Sequence, residues 1–275
     1  MIAGSNAPSV ALPAFFELDA PRDWRAIDFI SDLHLSPQLP RTLEAFEHHL
    51  RRTVADAVFI LGDLFDVWVG DDSRHTGFEA RGAAMLSQAA SQRSLAFMAG
   101  NRDFAIGTEM LKECGVMALP DPTVLLAFGQ RVLLSHGDAL CLSDTDYQRF
   151  RAMVRNPQWQ TQMLARPLAE RRALAKQVRH ASEQRRVGVS PVDWGDIDTA
   201  AAVRWMHEAN TPVLVHGHTH QPGSEPLAPG FLRHVLTDWD LDHAAAPGRA
   251  EVMRLSRTGF ARIAPAAPHP TASAQ

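Results

Sequence analysis

The sequence predicts an α/β fold with a mixed sheet, on three observations. Short apolar runs of β type alternate with stretches whose apolar residues recur at helical spacing. Gly129-Gln130, set between two apolar runs, marks a hairpin, so part of the sheet is antiparallel. Five apolar runs end within a residue or two in Asp, His or Asn, and the functional crevice of an open α/β sheet lies beyond such strand ends.

The first strand is Ala26–Ile30, apolar except for Asp28, and it runs into Ser31-Asp32-Leu33-His34. Side chains two apart share one face of a strand, which predicts that Asp32 and His34 converge. Residues 40–54 carry Leu43, Phe46, Leu50 and Val54 at helical spacing. Ala57–Leu61 is a strand ending in Gly62-Asp63-Leu64-Phe65-Asp66, and Gly77–Ala90 reads as a helix. The strand at 95–99 runs into Gly100-Asn101-Arg102-Asp103; the helix Thr108–Cys114 after it stops at Gly115. Strands at 123–128 and 131–135 flank the hairpin, and the second runs into His136-Gly137-Asp138. The strand at 212–215 runs into His216-Gly217-His218-Thr219-His220, and further strands are expected at 231–237, 250–255 and Gly259–Ile263.

Residues 1–24 lack a basic start and are broken by Pro13, so a disordered extension is expected rather than a signal peptide. The Ala- and Pro-rich tail, 264–275, is expected to be disordered too. Between them lies one domain, 25–263, with a helical cap insertion at 145–208. A net charge of −4 gives no global basic field, which excludes nucleic acid as an obvious partner. Two cysteines, Cys114 and Cys141, are too few for a disulfide framework, and a reducing, cytoplasmic compartment is expected. No apolar run reaches the ~18 residues of a membrane span.

Collected from the strand ends, the candidates are Asp32, His34, Asp63, Asn101, His136, His218 and His220. Any one motif alone reads as a turn, since Asp, Asn and Gly populate turns for local reasons. Five in one chain read as a shared site. All seven donors are oxygen or imidazole nitrogen, which argues against a structural zinc knuckle or an iron–sulfur cluster. Seven exceed what one ion takes while leaving room for substrate, so two ions sharing a carboxylate is the economical reading. Two cations ~3.5–4 Å apart clamp an in-line displacement at phosphorus and generate a nucleophile from water.

Asp32-x-His34, Gly62-Asp63-x-x-Asp66, Gly100-Asn101-Arg102-Asp103, His136-Gly137-Asp138 and Gly217-His218-Thr219-His220 resemble, in the same order, the calcineurin-like metallophosphoesterases. The resemblance implies two mixed β-sheets in a sandwich flanked by helices. It implies that Asp32, His34, Asp63 and His220 hold one metal, and that Asp63, Asn101, His136 and His218 hold the other, with Asp63 bridging. One departure is informative: Arg102 stands where the common form has a His that protonates the leaving group. Arginine stays protonated and cannot act as a general acid. A phosphate leaving group needs no proton, and a guanidinium binds phosphate oxygens well, so Arg102 favours a diphosphate substrate. The plain structural alternative is that Arg102 pairs with Asp103 or Asp66.

The runs from Ile60 to Asp72 and from His136 to Cys141, with Asp144-x-x-Tyr147-Gln148-x-Phe150-Arg151, are similar to a diphosphatase branch of that family acting in lipid A synthesis. That likeness implies hydrolysis of a UDP-linked diacylated glucosamine to UMP and 2,3-diacylglucosamine 1-phosphate. It implies two Mn2+ per subunit, other divalent ions being chemically admissible, and a peripheral place on the cytoplasmic face of the inner membrane. Asp63, Asn101, Arg102 and His218 would be catalytic. Substrate contacts would come from Asn101, Arg102, Asp144, Ser182, Arg186 and His218. Arg186 falls where the family has Asn, and the Lys that follows there is missing, which leaves that part of the substrate site altered. A related phosphoesterase acting on another nucleotide, phosphodiester or phosphomonoester is the alternative. A scaffold without chemistry would show broken ligand motifs, and none is broken. No protein partner is inferred.

From 149 to 186 ten Arg or Lys face two acids, Glu170 and Glu183. One reading is helices with a solvated basic face; the sharper one adds an apolar chamber and a basic surface toward anionic lipid headgroups. Asp103 and Asp138 are expected to orient ligands. Asp66, Asp71 and Asp72 do so too or are turn residues, while His48, His49, His75, His180, His207 and His243 read as ordinary surface or packing residues.

Overall fold

Strand β2 (Ala26–Ile30) is buried at every position, with Ile27 and Phe29 on one face and Asp28 and Ile30 on the other. A strand covered on both faces needs a layer on each side. The computed structural model describes residues 12–186, 195–243 and 248–266, without the side chains of 180–186. The remaining strands are β1 (Phe16–Asp19), β3 (Ala57–Leu61), β4 (Ser94–Met98), β5 (Met117–Leu119), β6 (Thr123–Ala127), β7 (Gln130–Ser135), β8 (Val213–His216), β9 (Gly223–Ala228), β10 (Phe231–Val235), β11 (Val252–Ser256) and β12 (Gly259–Ile263). They form two mixed six-stranded sheets, ordered β1-β6-β7-β8-β10-β9 and β12-β11-β2-β3-β4-β5.

Alternation along each strand sorts the side chains into three apolar layers. Ile27, Phe29, Ala57, Phe59, Ala96 and Met98 meet Leu125, Ala127, Val132 and Leu134 between the sheets. On the outer face of the second sheet, Ile30, Val58, Ile60 and Phe97 pack on helices α1 (Pro40–Arg52), α2 (Gly77–Ala90) and α3 (Thr108–Cys114). The implied two-sheet sandwich is therefore observed. The hairpin turn sits one residue earlier than expected: Ala127 pairs with Gln130, and Phe128 and Gly129 both have positive φ, as a type I′ turn requires.

Three strands escaped the sequence reading: β1, β5 and β9. Each is the outermost strand at one end of a sheet. Edge strands are held by backbone pairing on one side and need no apolar run, and β9 even carries Pro226. β1 corrects the disordered extension assigned to 1–24, since Phe16–Asp19 pairs in parallel with β6 from Thr123 to Leu126. Residues 1–11 lie outside the described residues. At the other end Ala266 donates its amide to His49 Nδ1, so the expected disorder does not begin at 264; residues 267–275 lie outside the described residues.

The cap is also smaller than 145–208. Helices α4 (Thr145–Val154), α5 (Pro157–Leu164) and α6 (Leu168–Arg186) form it. Helix α7 (Thr199–Glu208) instead buries Ala201, Ala202, Trp205 and Met206 against Val124, Leu133 and Leu214 on the outer face of the first sheet. Part of the basic excess turns inward, while Arg149, Arg166, Arg172 and Lys176 are exposed. Arg151 pairs with Asp138, Arg171 with Asp72, Arg172 with Glu79 and Arg179 with Asp66, while Arg155 bonds two core carbonyls and Arg149 pairs within its own helix. Arg151, Arg155, Arg171, Arg172 and Arg179 tie the cap to the core, while Arg149 stays exposed. Asp66 and Asp72 are thus docking partners, and Asp71 accepts the Gly107 and Met110 amides at the start of α3.

Of the two readings given for His49, surface or packing, the second holds, with a charged partner added. This histidine is buried, 3.2 Å from Asp28, whose carboxylate also takes Thr53 Oγ1 at 2.5 Å and Arg254 at 2.7 and 2.8 Å. Burial pushes the Asp28 carboxyl up, but Arg254, His49 and Thr53 outweigh it and hold it at about 2. A carboxyl lowered on folding contributes stability above its ordinary value, and that stability is lost as pH falls through the folded value. The contribution here is roughly 2 kcal/mol. Asp28→Asn should cost about 3–5 kcal/mol in urea titrations, because Arg254 loses its counter-charge. A cost within about 0.5 kcal/mol, the usual surface range, would show the network to be idle.

Candidate metal centre

Among the described residues seven non-glycine positions have positive φ, and five of them are candidate ligands: Asp32 (54°), His34 (47°), Asp63 (53°), His218 (67°) and His220 (54°). Such backbone costs a non-glycine residue about 1–3 kcal/mol and persists only where the surroundings impose it. This corrects the expected route to convergence. Strand β2 ends at Ile30, so Asp32 and His34 meet through left-handed loop conformations, not through the pleat of a strand.

The loops are cross-linked by their own polar groups. The Asp103 carboxylate accepts the amides of Asp63 (3.3 Å), Leu64 (2.7 Å), Phe65 (3.4 Å) and Gly100 (2.8 Å), joining the loops after β3 and β4. Asp32 Oδ2 accepts Ser31 Oγ at 2.5 Å and the His218 amide at 2.9 Å, joining the loops after β2 and β8. Gly100 is required for closeness: a Cβ there would overlap the Asp63 carboxylate and amide.

All seven predicted ligands come together. His34 Nε2 lies 3.2 Å from His220 Nε2, and Asp32 Oδ1 lies 3.4 Å from His220 Nε2. Asp63 reaches both halves, with Oδ2 3.9 Å from His34 and Oδ1 3.7 Å from His136. Asn101 Oδ1 sits 3.1 Å from His136 Nε2 and 2.8 Å from His218 Nδ1. Two ligand clusters result, Asp32–His34–His220 and Asp32–Asp63–His136. Asp32 belongs to both groups, and Asp63 lies near both His34 and His136.

The donor set fits a pair of divalent cations. Asp32 Oδ1 and His34 Nδ1 are buried without a hydrogen-bond partner, an arrangement that costs free energy unless something else meets them. Burial drives His34 well below the ordinary imidazole value and His218 down to about 3, leaving both neutral with lone pairs to offer. Burial works against His136 as well, yet Asp63, Asp32 and Asp138 raise it to about 9. The carboxylates thus draw a proton to His136, and a bound cation would release it. His136 Nδ1 lies 2.9 Å from the Leu61 carbonyl, an acceptor only, so Nδ1 carries hydrogen and Nε2 faces the centre.

Arg102 has neither of the partners suggested for it. Asp103 is engaged with backbone amides and Asp66 with Arg179, while the Arg102 amide donates to Asp63 Oδ1 at 2.8 Å. Asp144 is the exposed N-cap of α4, accepting the Tyr147 amide at 2.9 Å. The side chains of His180, Ser182 and Arg186 lie outside the described residues. Asp138 is buried, and its side-chain bonds go to the cap, taking Tyr147 Oη at 2.5 Å and Arg151 at 2.9 Å, rather than to a candidate ligand. One participant was missed. Asp238 lies 3.7 Å from His220 Nδ1 just past the end of β10, and the strand-end rule applied to 231–237 would have found it.

Comparison with known proteins gives one family model and named relatives. The calcineurin-like phosphoesterase model matches residues 26–222. A protein of Chromobacterium violaceum named UDP-2,3-diacylglucosamine hydrolase is 46% identical over 217 residues, covering 78% of this chain and 90% of that one. One of the same name from Xanthomonas axonopodis pv. citri is 44% identical over 222 residues, covering 77% and 90%.

Proposed function

The chain belongs to the calcineurin-like phosphoesterase family, and on that footing we propose that it hydrolyses the diphosphate of UDP-2,3-diacylglucosamine to UMP and 2,3-diacylglucosamine 1-phosphate, a step of lipid A synthesis. Asp32, His34 and His220 would hold one divalent cation, and Asn101, His136 and His218 the other, with Asp63 between them. Bound there, the cations lower the pKa of water and offset charge on the phosphate oxygens.

The observation that carries the substrate class is Arg102. Its guanidinium has no carboxylate partner among the described residues, and its backbone is tied to Asp63 at the edge of the centre. A permanently charged donor there stabilises oxygens of the departing phosphate and supplies no proton, which suits an anhydride and not an alkoxide leaving group. Asn101 and His218 stand beside it to orient the reacting phosphate. The 44–46% identity of the two relatives reported above supports the same substrate.

Manganese and membrane attachment belong to the proposal. Mixed carboxylate and imidazole sites accept Mn, Fe, Co or Zn, and Mn is the ion we assign. A diacylated substrate resides in a bilayer, and exposed Met153, Leu164 and Val178 on the cap, with Val67 on the loop it docks against, offer apolar contact at the cytoplasmic face of the inner membrane. No helix among the described residues is long and apolar enough to cross a membrane.

The test is release of UMP from UDP-2,3-diacylglucosamine by purified protein with Mn2+, beside a panel of nucleotides, diesters and monoesters. Faster turnover of a simple monoester would reject the proposal. In the same assay Arg102→Ala should lower kcat/KM about 10²–10³-fold with both ions still bound, and Arg102→Lys should recover only part.

A further inference from the structure

We infer that Arg155, a residue of the cap, is a positioning residue for the Asn101–His136–His218 half of the metal centre, holding Asn101 through the two carbonyls that lead into it. The inference rests on the two-cation reading above.

Tyr147, Arg151 and Arg155 are spaced four apart on α4 and its C-cap, so they line one face of the helix. That face lies along the half-site. The Tyr147 ring is tilted against His218 with centroids 5.6 Å apart, and its hydroxyl reaches Asp138 next to the His136 loop. Arg151 bonds the same Asp138. One turn on, Arg155 Nη2 donates to the Ala99 and Gly100 carbonyls, each at 2.9 Å. The ladder between β3 and β4 stops at Met98, so these carbonyls depend on a donor from outside the sheet.

Asn101 is therefore held from two sides. Asp103 accepts the Gly100 amide at 2.8 Å, and Arg155 donates to the carbonyls of 99 and 100. The Asn101 oxygen in turn lies between His136 and His218. Asp103 comes from the same loop, but Arg155 comes from the cap, so cap docking and the geometry of one metal position are mechanically joined. A guanidinium suits this role because it stays charged and carries several donors in a fixed plane, so one group serves two acceptors.

The test titrates MnCl2 alone into the metal-stripped full-length protein, wild type and Arg155→Ala, followed by calorimetry and by the electron paramagnetic resonance signal of paired ions. Wild type should take up two ions. Arg155→Ala should take up the first as wild type does and the second about 10–100-fold more weakly. Its kcat should fall with KM little changed, and the stripped protein's Tm should stay within about 2 °C. Arg155→Lys, which keeps donors and charge, should restore most of the second affinity. Should the alanine variant not fold, Arg155→Lys against Arg155→Gln carries the comparison, with Lys tight and Gln weak. Wild-type affinities at both positions in Arg155→Ala, or in Arg155→Gln, overturn the inference alone. Equal weakening of both positions with a Tm loss above about 5 °C also overturns it, as a merely structural role. A wild type that takes up only one ion overturns the two-cation reading and this inference together.

Discussion

Asp63→Asn is expected to reduce turnover by about 10³-fold or more while leaving the fold at least as stable as wild type. Asp63 is almost fully buried, and its carboxyl is pushed up by burial and by the Asp32 charge, against the pull of His136 and Arg102. A charge in that place is unfavourable to the protein alone and becomes favourable only beside cations. Asparagine keeps an oxygen for the Arg102 amide, which now bonds Asp63 Oδ1, so the loop geometry survives. The variant should therefore show an unchanged or higher Tm in chelator, a smaller rise in Tm on adding Mn2+, and almost no hydrolysis. Substantial activity in Asp63→Asn would contradict the shared-carboxylate centre.

Asp103→Ala is expected to have a large effect on stability. It would leave four amides, of Asp63, Leu64, Phe65 and Gly100, without their acceptor in the interior. Each buried unpaired amide costs about 1–3 kcal/mol, and even allowing for relaxation the sum should exceed about 3 kcal/mol. That is a large share of the 5–15 kcal/mol, roughly, that stabilises a domain. Asp103→Asn should do little better, because its amide group would face two N–H donors that now meet an oxygen. Urea titration of both variants measures this, and losses below about 1 kcal/mol would refute it.

The same carboxylate carries a pH signature. Burial first, then the Asp63 charge, raise the Asp103 carboxyl to about 7. A carboxyl raised on folding binds its proton better in the native state, so its stabilisation is present below the ordinary carboxylate value and lost as pH rises through the folded value. Without added metal, this group should lower stability between about pH 4 and pH 7. Mn2+ should shrink that loss by offsetting the Asp63 charge, whereas loss of the same size with and without Mn2+ would argue against it.

Much of the fold was legible because it rests on local patterns. Ala57–Leu61, Gly77–Ala90 and Thr108–Cys114 lie where residue spacing and a terminal glycine put them. The strand-end rule picked out the seven side chains that gather at one place, though not Asp238, since they sit just past runs that bury themselves. What remained hidden depends on contacts distant in sequence. Edge strands β1, β5 and β9 exist because a neighbour offers a ladder, not because their own residues demand one. The arginines of the cap looked like a basic surface until Asp66, Asp72, Glu79 and Asp138 were seen opposite them. His49 looked ordinary because Asp28 is in another element.

By itself, the sequence determined which layers can form and which side chains stand at the rim of the sheets, because apolar periodicity and strand-terminal chemistry are properties of short segments. Only the tertiary structure decided how those side chains meet: through left-handed turns at Asp32, His34, Asp63, His218 and His220, tied together by bonds between loops, Asp103 to the Asp63 amide, Asp32 to the His218 amide and the Asp63 carbonyl to the His34 amide. A backbone conformation that is locally unfavourable leaves no signature in its own residues. It becomes the minimum only when hydrogen bonds from elsewhere in the chain make it so.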